Sequence, residues 1–302
     1  MTIHDERDRN GLTESEFLES YDVSNYDRPS VTVDMLIFTV MDKEQENFRK
    51  LPEKSLQLLL IKRGEHPYLG QWALPGGFVA PHESLDEGAA RELYSETNIR
   101  DIYMEQLYTW GDVGRDPRTR VISCSYLALV DRTALQVQAG DDADDAQWFE
   151  VGYRVLQEKK TNLAEGWELE KIVQLTLTHG STRLTATVKL VETISDRKSV
   201  LRREIVESKG IGFDHAKIIE YAIGRLRNKI EYTDIAFYLM PHLFTLTALQ
   251  QVYEVILGKE LLAAAFRRKI APMVLETNEL TKDAGHRPSK LYRFDPNWNR
   301  TF

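Results

Sequence analysis

Apolar residues in this 302-residue chain recur with two distinct periods, and each predicts a different element. The β-branched run SVTVDMLIFTV, ending at Val40, and the run QLLLIKR from Gln57 to Arg63 predict buried strands, with the polar MDKEQENFRKLPEKS as a loop between them. VISCSYLALV and AQWFEV predict two more, bounded by the loop GDVGRDPRTR and the acidic stretch GDDADD. From Ile172 to Glu207, Thr, Val and Leu alternate, and the HGS group reads as a hairpin turn, so a hairpin insertion near 177–208 extends the same sheet. Helical spacing appears at Leu85, Ala89 and Leu93, which predicts strand, turn and amphipathic helix over Gly77–Ile99. A longer helix is predicted from Phe213 to Ile230. It has Asp214 or Gly212 at its start, and Arg225, Arg227 and Lys229 near its end, where cations suit the helix dipole. Thr13-Glu14-Ser15-Glu16 reads as a capping box for a short leading helix.

Beyond Ile230 the pattern is mostly helical. One helix is predicted over Tyr232–Leu239, stopping before Pro241. A second begins at Thr245 or Thr247 and ends at Gly258, a residue suited to a helix C-terminus, and a third covers Leu261 to Met273. VLETNEL and KLYRF then read as two strands joined by the basic turn TKDAGHRPSK. Three helices followed by a β-ribbon make a winged helix-turn-helix. The expected boundary is near Ile230, giving units 1–230 and 231–302 within an α+β chain.

Composition sharpens this picture. The net charge of −8 argues against a general nucleic-acid coat, yet residues 201–302 carry +4 and residues 1–200 carry −12. The two parts therefore suit different partners. The single cysteine, Cys124, lies in an apolar run and is expected to be buried, which excludes a disulfide within the chain. The charged start MTIHDERDRN and the absence of an eighteen-residue apolar run predict a soluble cytoplasmic protein with no membrane segment.

Chemistry concentrates between Gly77 and Asn98. Glu92 and Glu96 are four residues apart and share one helix face, with Arg91 beside them and Glu83 at the approach. Like charges that close are relieved by a divalent cation such as Mg²⁺, which would still leave positions for diphosphate oxygens and water. Glu92 and Glu96 are thus catalytic candidates, and with Glu83 metal ligands. Gly77, Arg91, Arg63, Trp72, Arg115 and Arg118 are the candidate ligand-binding residues. Arginine forks match phosphate oxygens, and an indole can stack on a base.

The segment resembles the Nudix hydrolase signature, a glycine, five residues, a glutamate, seven residues, then Arg-Glu-hydrophobe-x-Glu-Glu-x-Gly-hydrophobe. Gly77, Glu83, Arg91, Glu92, Leu93, Glu96 and Ile99 fall on that pattern, whereas Ser95 and Asn98 depart from it. The resemblance implies a Nudix α/β/α sandwich with a mixed sheet, metal-binding helix glutamates, and an Arg91 that orients a glutamate. Ser95 replaces a metal-ligating carboxylate of the family, so ligand binding is expected to outlast hydrolysis. Asn98 tolerates the left-handed backbone that a helix end needs.

Between Phe266 and Phe294 stand Arg267, Arg268, Lys269, Lys282, Arg287, Lys290 and Arg293 against Glu276, Glu279 and Asp283. On a recognition helix and wing, such cations neutralise phosphates and reach base edges. The DNA-facing set is expected to be Thr247, Gln250, Arg267, Arg268, Lys269, Arg287 and Lys290. FTLTALQQVYEVILGKELLAAAFRRKI and GHRPSKLYRF, with RPSVTVDMLIFT, GDVGRDPRTRVIS and FDHAKIIEYAIGRLRNKI, resemble the Nudix-related transcriptional regulator (NrtR) family. That resemblance implies a homodimer on palindromic operator DNA whose Nudix-like part senses ADP-ribose or a related nucleotide sugar. A Mg²⁺-dependent ADP-ribose pyrophosphatase is the alternative, and a ligand-binding adaptor without DNA is a third.

Overall fold

The computed structural model describes residues 6–43, 52–100, 102–135, 146–281 and 288–298. Its short leading helix α1 (Glu14–Ser20) carries the expected capping box: the Glu16 amide donates to Thr13 Oγ1 at 3.3 Å, and the Thr13 amide donates to the Glu16 carboxylate at 2.8 Å.

A mixed sheet follows. β1 (Ser30–Asp42) lies between β2 (Lys54–Lys62), antiparallel with Phe38 opposite Leu58, and the parallel β6 (Val121–Leu129), with Val33 opposite Cys124. The two-residue β3 (Trp72–Ala73) pairs with β2, and β4 (Gly76–Phe78) pairs with the start of β1, setting Gly77 opposite Val33. Helix α2 (Leu85–Thr97) and strand β5 (Tyr103–Trp110) come before β6, and a single turn, α3 (Arg132–Leu135), comes after it. β7 (Ala146–Leu163), β8 (Gly166–His179), β9 (Thr182–Ser195) and β10 (Lys198–Lys209) form a meander that widens the sheet to β10-β9-β8-β7-β2-β1-β6-β5. The expected hairpin is there, turning at Gly180 between His179 and Thr182, but the extension is longer than 177–208. β7 runs on well past AQWFEV through polar residues that antiparallel pairing satisfies and apolar periodicity does not reveal.

Period-two alternation divides the core between the two faces of the sheet. Val33, Met35 and Ile37 face α2, packing with Ala89, Leu93, Cys124 and Tyr126. Leu36, Phe38 and Val40 face the other way, with Leu58, Phe149, Val173, Leu175 and Val188, onto helix α4 (His215–Ile230). Helix, sheet and helix form three layers. α4 starts at His215, two residues later than predicted, because Phe213 has a positive φ of 54° and Asp214 makes no side-chain cap.

Past α4 the chain makes a 3-10 turn, Ile235–Leu239, where an α-helix was predicted; the segment is too short before Pro241 to develop a further turn. α5 (Leu246–Leu257) is capped by Thr245, whose hydroxyl accepts from the Ala248 amide at 3.1 Å, and is closed by Gly258 at φ 67°. α6 (Ala263–Ile270) passes into a 3-10 turn, Ala271–Met273, and the hairpin of β11 (Val274–Leu280) and β12 (Lys290–Phe294) completes a winged helix. The buried cluster on the α4 side continues without a break into Leu239, Leu249, Val252, Ile256 and Phe266. Among the described residues no helix is long and apolar enough to cross a membrane.

Candidate functional site

The start of α2 is fixed from both sides. Ser84 and Glu87 form a capping box, and the Tyr126 hydroxyl of β6 donates to Asp86 at 2.6 Å. This presents Arg91 to two glutamates at once. Its Nε and Nη2 donate to the two oxygens of Glu83 at 3.1 and 2.7 Å, its Nη1 donates to Glu92 at 2.5 Å, and Nη2 also reaches the Phe78 carbonyl at 3.1 Å. Those bonds, with one from the Ala80 amide, hold the Glu83 carboxyl down at about 2, and its ion pairing raises Arg91. Gly77 leaves room for the Glu92 carboxylate: a Cβ at that position would lie 2.2 Å from Glu92 Oε1, so Glu92 would have to move off its bond to Arg91.

Glu96, half-buried, has its pKa raised by burial and by the neighbouring charge of Glu92. Ser95 is exposed and donates to the Glu92 carbonyl at 2.9 Å, adding no charge to the glutamate face, and Asn98 closes the helix at φ 55°. Both oxygens of Glu83, expected as a metal ligand, accept from Arg91. Among the described residues no three carboxylate, histidine or cysteine side chains gather as a metal cage. Glu92 and Glu96 remain as two carboxylates, a donor set that suits Mg²⁺ only when phosphate oxygens complete the shell.

Beside Gly77 opens a cleft of about 150 Å³ lined by Arg63, Phe78, Arg115, Arg118, Phe213 and His215. Arg118 makes a fork to Asp116 at 3.0 and 2.7 Å, and its guanidinium lies 5.4 Å from the Phe78 ring and 5.9 Å from the Phe213 ring. Arg63 donates to the Pro67 carbonyl at 2.6 Å and sits 5.0 Å from the Phe213 ring. Arg115 forms the floor: only 6% exposed, it donates to Asp214 at 3.1 and 2.8 Å and to Asp34 at 3.3 Å. Ser123 donates to the same Asp34 at 2.5 Å. His215 Nδ1 accepts from the Leu74 amide at 2.9 Å, and burial depresses the ring's pKa, so it stands neutral.

Three of the four expected aromatic and arginine positions thus converge, and Trp72 does not. Its indole meets Phe149 edge-on at 4.7 Å as part of the sheet's packing, because β3 turns it towards the meander. The flat surfaces of the cleft belong to Phe78 and Phe213, which sequence reasoning missed. Asp34 was missed too, although a carboxylate inside a buried strand run is itself a sign that a cation must meet it.

On the winged helix, Arg267 and Arg268 are exposed on the last turn of α6, and neither makes an ion pair among the described residues. Lys269 is exposed as a residue, but its ammonium lies 5.5 Å from the Tyr253 ring, and partial burial there lowers its pKa. Thr247 is exposed at the start of α5. The Gln250 amide donates to Glu254 at 2.9 Å and to the Leu261 carbonyl at 2.9 Å, fixing the turn between α5 and α6. Lys290 is likewise committed, forming an ion pair with Glu276 across the wing. Arg287 lies outside the described residues. Leu262, 81% exposed, and Ala263, Ala264 and Ala265 form a small apolar leading edge that charge counting could not reveal. Such side chains let a helix approach base edges and thymine methyl groups closely.

Comparison with known proteins agrees with both halves. Residues 33–164 match the NUDIX domain model, and residues 236–294 match that of the NrtR DNA-binding winged helix domain. The ADPR responsive transcriptional repressor NtrR of Acinetobacter baylyi is 34% identical over 288 residues, 94% of this chain and 90% of that protein. The crystal structure of a MutT/nudix family protein from Enterococcus faecalis superposes with a TM-score of 0.65 at 28% identity, covering 94% of each chain. Shewanella oneidensis NrtR in complex with a 27mer DNA gives a TM-score of 0.59 at 28% identity, covering 88% of this chain and 94% of that one. With a Nudix domain and a winged helix in the same order and a relative matched along nearly its whole length, the chain belongs to the NrtR family.

Proposed function

We propose that the protein is a cytoplasmic homodimeric transcriptional repressor that binds palindromic operator DNA and releases or retains it according to ADP-ribose. Residues 1–230 serve as the sensing unit and residues 231–302 as the DNA-binding unit. The observation that carries this reading is the contrast at α6, where Arg267 and Arg268 are exposed with no carboxylate among the described residues to neutralise them, in a chain of net charge −8. Exposed arginines without partners suit a polyanion.

For the ligand, the cleft offers the Arg63 and Arg118 guanidiniums to a diphosphate and the Phe78 and Phe213 rings to a flat base. Glu92 and Glu96 would hold a Mg²⁺ brought in with the diphosphate, and when bound that ion would neutralise phosphate charge. Arg91 holds Glu92 in place, and Ser95 supplies no third carboxylate, which favours sensing over turnover. Thr247, Arg267, Arg268 and the Ala263–Ala265 edge are the residues that approach the duplex.

Fluorescence anisotropy of the full chain on promoter duplex tests the reading. Specific, salt-sensitive binding that shifts with ADP-ribose supports it. Rapid release of AMP and ribose 5-phosphate from ADP-ribose with Mg²⁺, abolished by Glu96→Gln, together with absent DNA binding, would replace the repressor with a pyrophosphatase.

A further inference from the structure

Helix α4 touches both sites, and an arginine holds each of its ends. At its start, Phe213 and His215 line the cleft while Asp214 between them takes two hydrogen bonds from Arg115, at 3.1 and 2.8 Å. The loop that supplies Arg115 and Arg118 is tied to α4 a second time, by an ion pair between Asp112 and Lys217. Phe213 is held in the left-handed region at φ 54° and packs 4.6 Å from Tyr68, itself at φ 64°. Two non-glycine residues in that region, side by side, mark a junction with stored strain. At the other end, Arg227 donates to the Ile256 carbonyl of α5 at 2.9 Å and lies 4.2 Å from the Tyr153 ring. Between the ends, buried Glu220 accepts from Arg203 at 2.8 Å and from the Tyr153 hydroxyl at 3.2 Å, a fixed point about which a tilt at one end of the helix is passed to the other.

We propose that the Arg115–Asp214 pair is a ligand-operated latch: a diphosphate in the cleft draws Arg115 away from Asp214, and the loosened first turn of α4 alters the seating of α5 through Arg227. This rests on the sensing and DNA-binding roles given above. Asp34 and Asp214 already share one buried guanidinium, and a third anion beside them repels both unless one withdraws. Asp34 is buried in β1 and fixed by Ser123 as well as by Arg115, whereas Asp214, at the strained junction, has Lys217 at 3.9 Å as an alternative cation and is the partner that yields. A ligand shifts an equilibrium only by interacting differently with two states, and a cation with alternative partners provides that difference. Asp214 is thus a positioning residue, touching no ligand itself.

The full-length Asp214→Asn variant tests the latch with ADP-ribose as the probe. Three quantities are read: ADP-ribose affinity by calorimetry, operator affinity by anisotropy with and without saturating ADP-ribose, and amide exchange over residues 213–218. In the unmodified chain, ADP-ribose is expected to change operator affinity within the usual allosteric range of about 5–150-fold and to speed exchange at the start of α4. Asp214→Asn is expected to bind ADP-ribose at least as tightly while its operator affinity changes less than about 2-fold. Arg227→Lys is expected to keep ADP-ribose binding and the faster exchange, yet lose most of the operator response. A full operator response in Asp214→Asn, or unchanged exchange over 213–218 on adding ADP-ribose to the unmodified chain, overturns the latch alone. Failure of the unmodified chain to bind operator, or to respond to ADP-ribose, overturns the sensing reading and the latch with it.

Discussion

The arginines of the cleft and those of the recognition helix carry the same charge in opposite circumstances. Arg115 is 6% exposed between Asp34 and Asp214, Arg118 is forked onto Asp116, and Arg91 bridges Glu83 and Glu92. Arg267 and Arg268 stand in solvent without such partners among the described residues. A buried cation needs its carboxylates to be tolerated at all, and the same carboxylates fix its geometry for a small anion. An exposed one owes nothing to folding, and its charge remains available to an extended polyanion through counterion release.

Replacing Arg115 by Met tests the first half of this contrast most severely. Buried Asp34 and partly buried Asp214 lose the guanidinium they share, Asp214 keeping Lys217 at 3.9 Å, and denaturant unfolding is expected to show a loss of about 3–5 kcal/mol. A variant as stable as the parent would mean that Asp34 and Asp214 are solvated. Gly77→Ala comes next: its methyl would meet a Glu92 carboxylate pinned by Arg91, and overpacking of this kind costs about 1–3 kcal/mol, together with weaker ADP-ribose binding by calorimetry. Arg267→Ala with Arg268→Ala should change stability by less than about 0.5 kcal/mol, since both are exposed and lose no partner among the described residues. The same pair should lower the slope of log operator affinity against log salt by about 2. An unchanged slope removes these arginines from the interface.

The smallest effect expected is one of pH. Arg91 keeps Glu83 ionised down to about 2 in the folded chain, below its ordinary 4.5. That contribution is complete above 4.5 and fades as pH falls from 4.5 towards 2. Glu83→Gln should therefore lower stability across the neutral region and leave it little changed near pH 2, which flattens the acid limb of the stability curve. Glu96 runs the other way: its raised value favours the folded chain at low pH, and the advantage is lost as pH rises and the group ionises.

What could be read in advance was what local sequence encodes. The capping box at Thr13, the phased glycine and glutamates of α2, the left-handed Asn98 and Gly258, and the order of helices and strands in the winged helix all depend on residues a few places apart. The floor of the cleft was not legible in this way. Asp34, Arg115 and Asp214 are brought together across 81 and 99 positions by the pairing of β1 with β6 and by the return of α4 beneath the sheet. Trp72 packs against Phe149 rather than into the cleft because a two-residue strand decides which side it faces. Nor was it legible that the Gln250 amide bonds inside the turn that sets α6 in place.

The unbroken apolar cluster beneath α4 has a practical corollary. Ile256, Val252 and Leu249 of α5 share it with Leu56 and Leu58 of β2, and Gln251 donates to the Pro52 carbonyl at 2.9 Å. Cutting the polypeptide near residue 230 would strip that seam and leave two greasy fragments rather than two modules. Anyone wishing to swap operator specificity between relatives would do better to graft α6 and its flanking ribbon than to exchange whole halves.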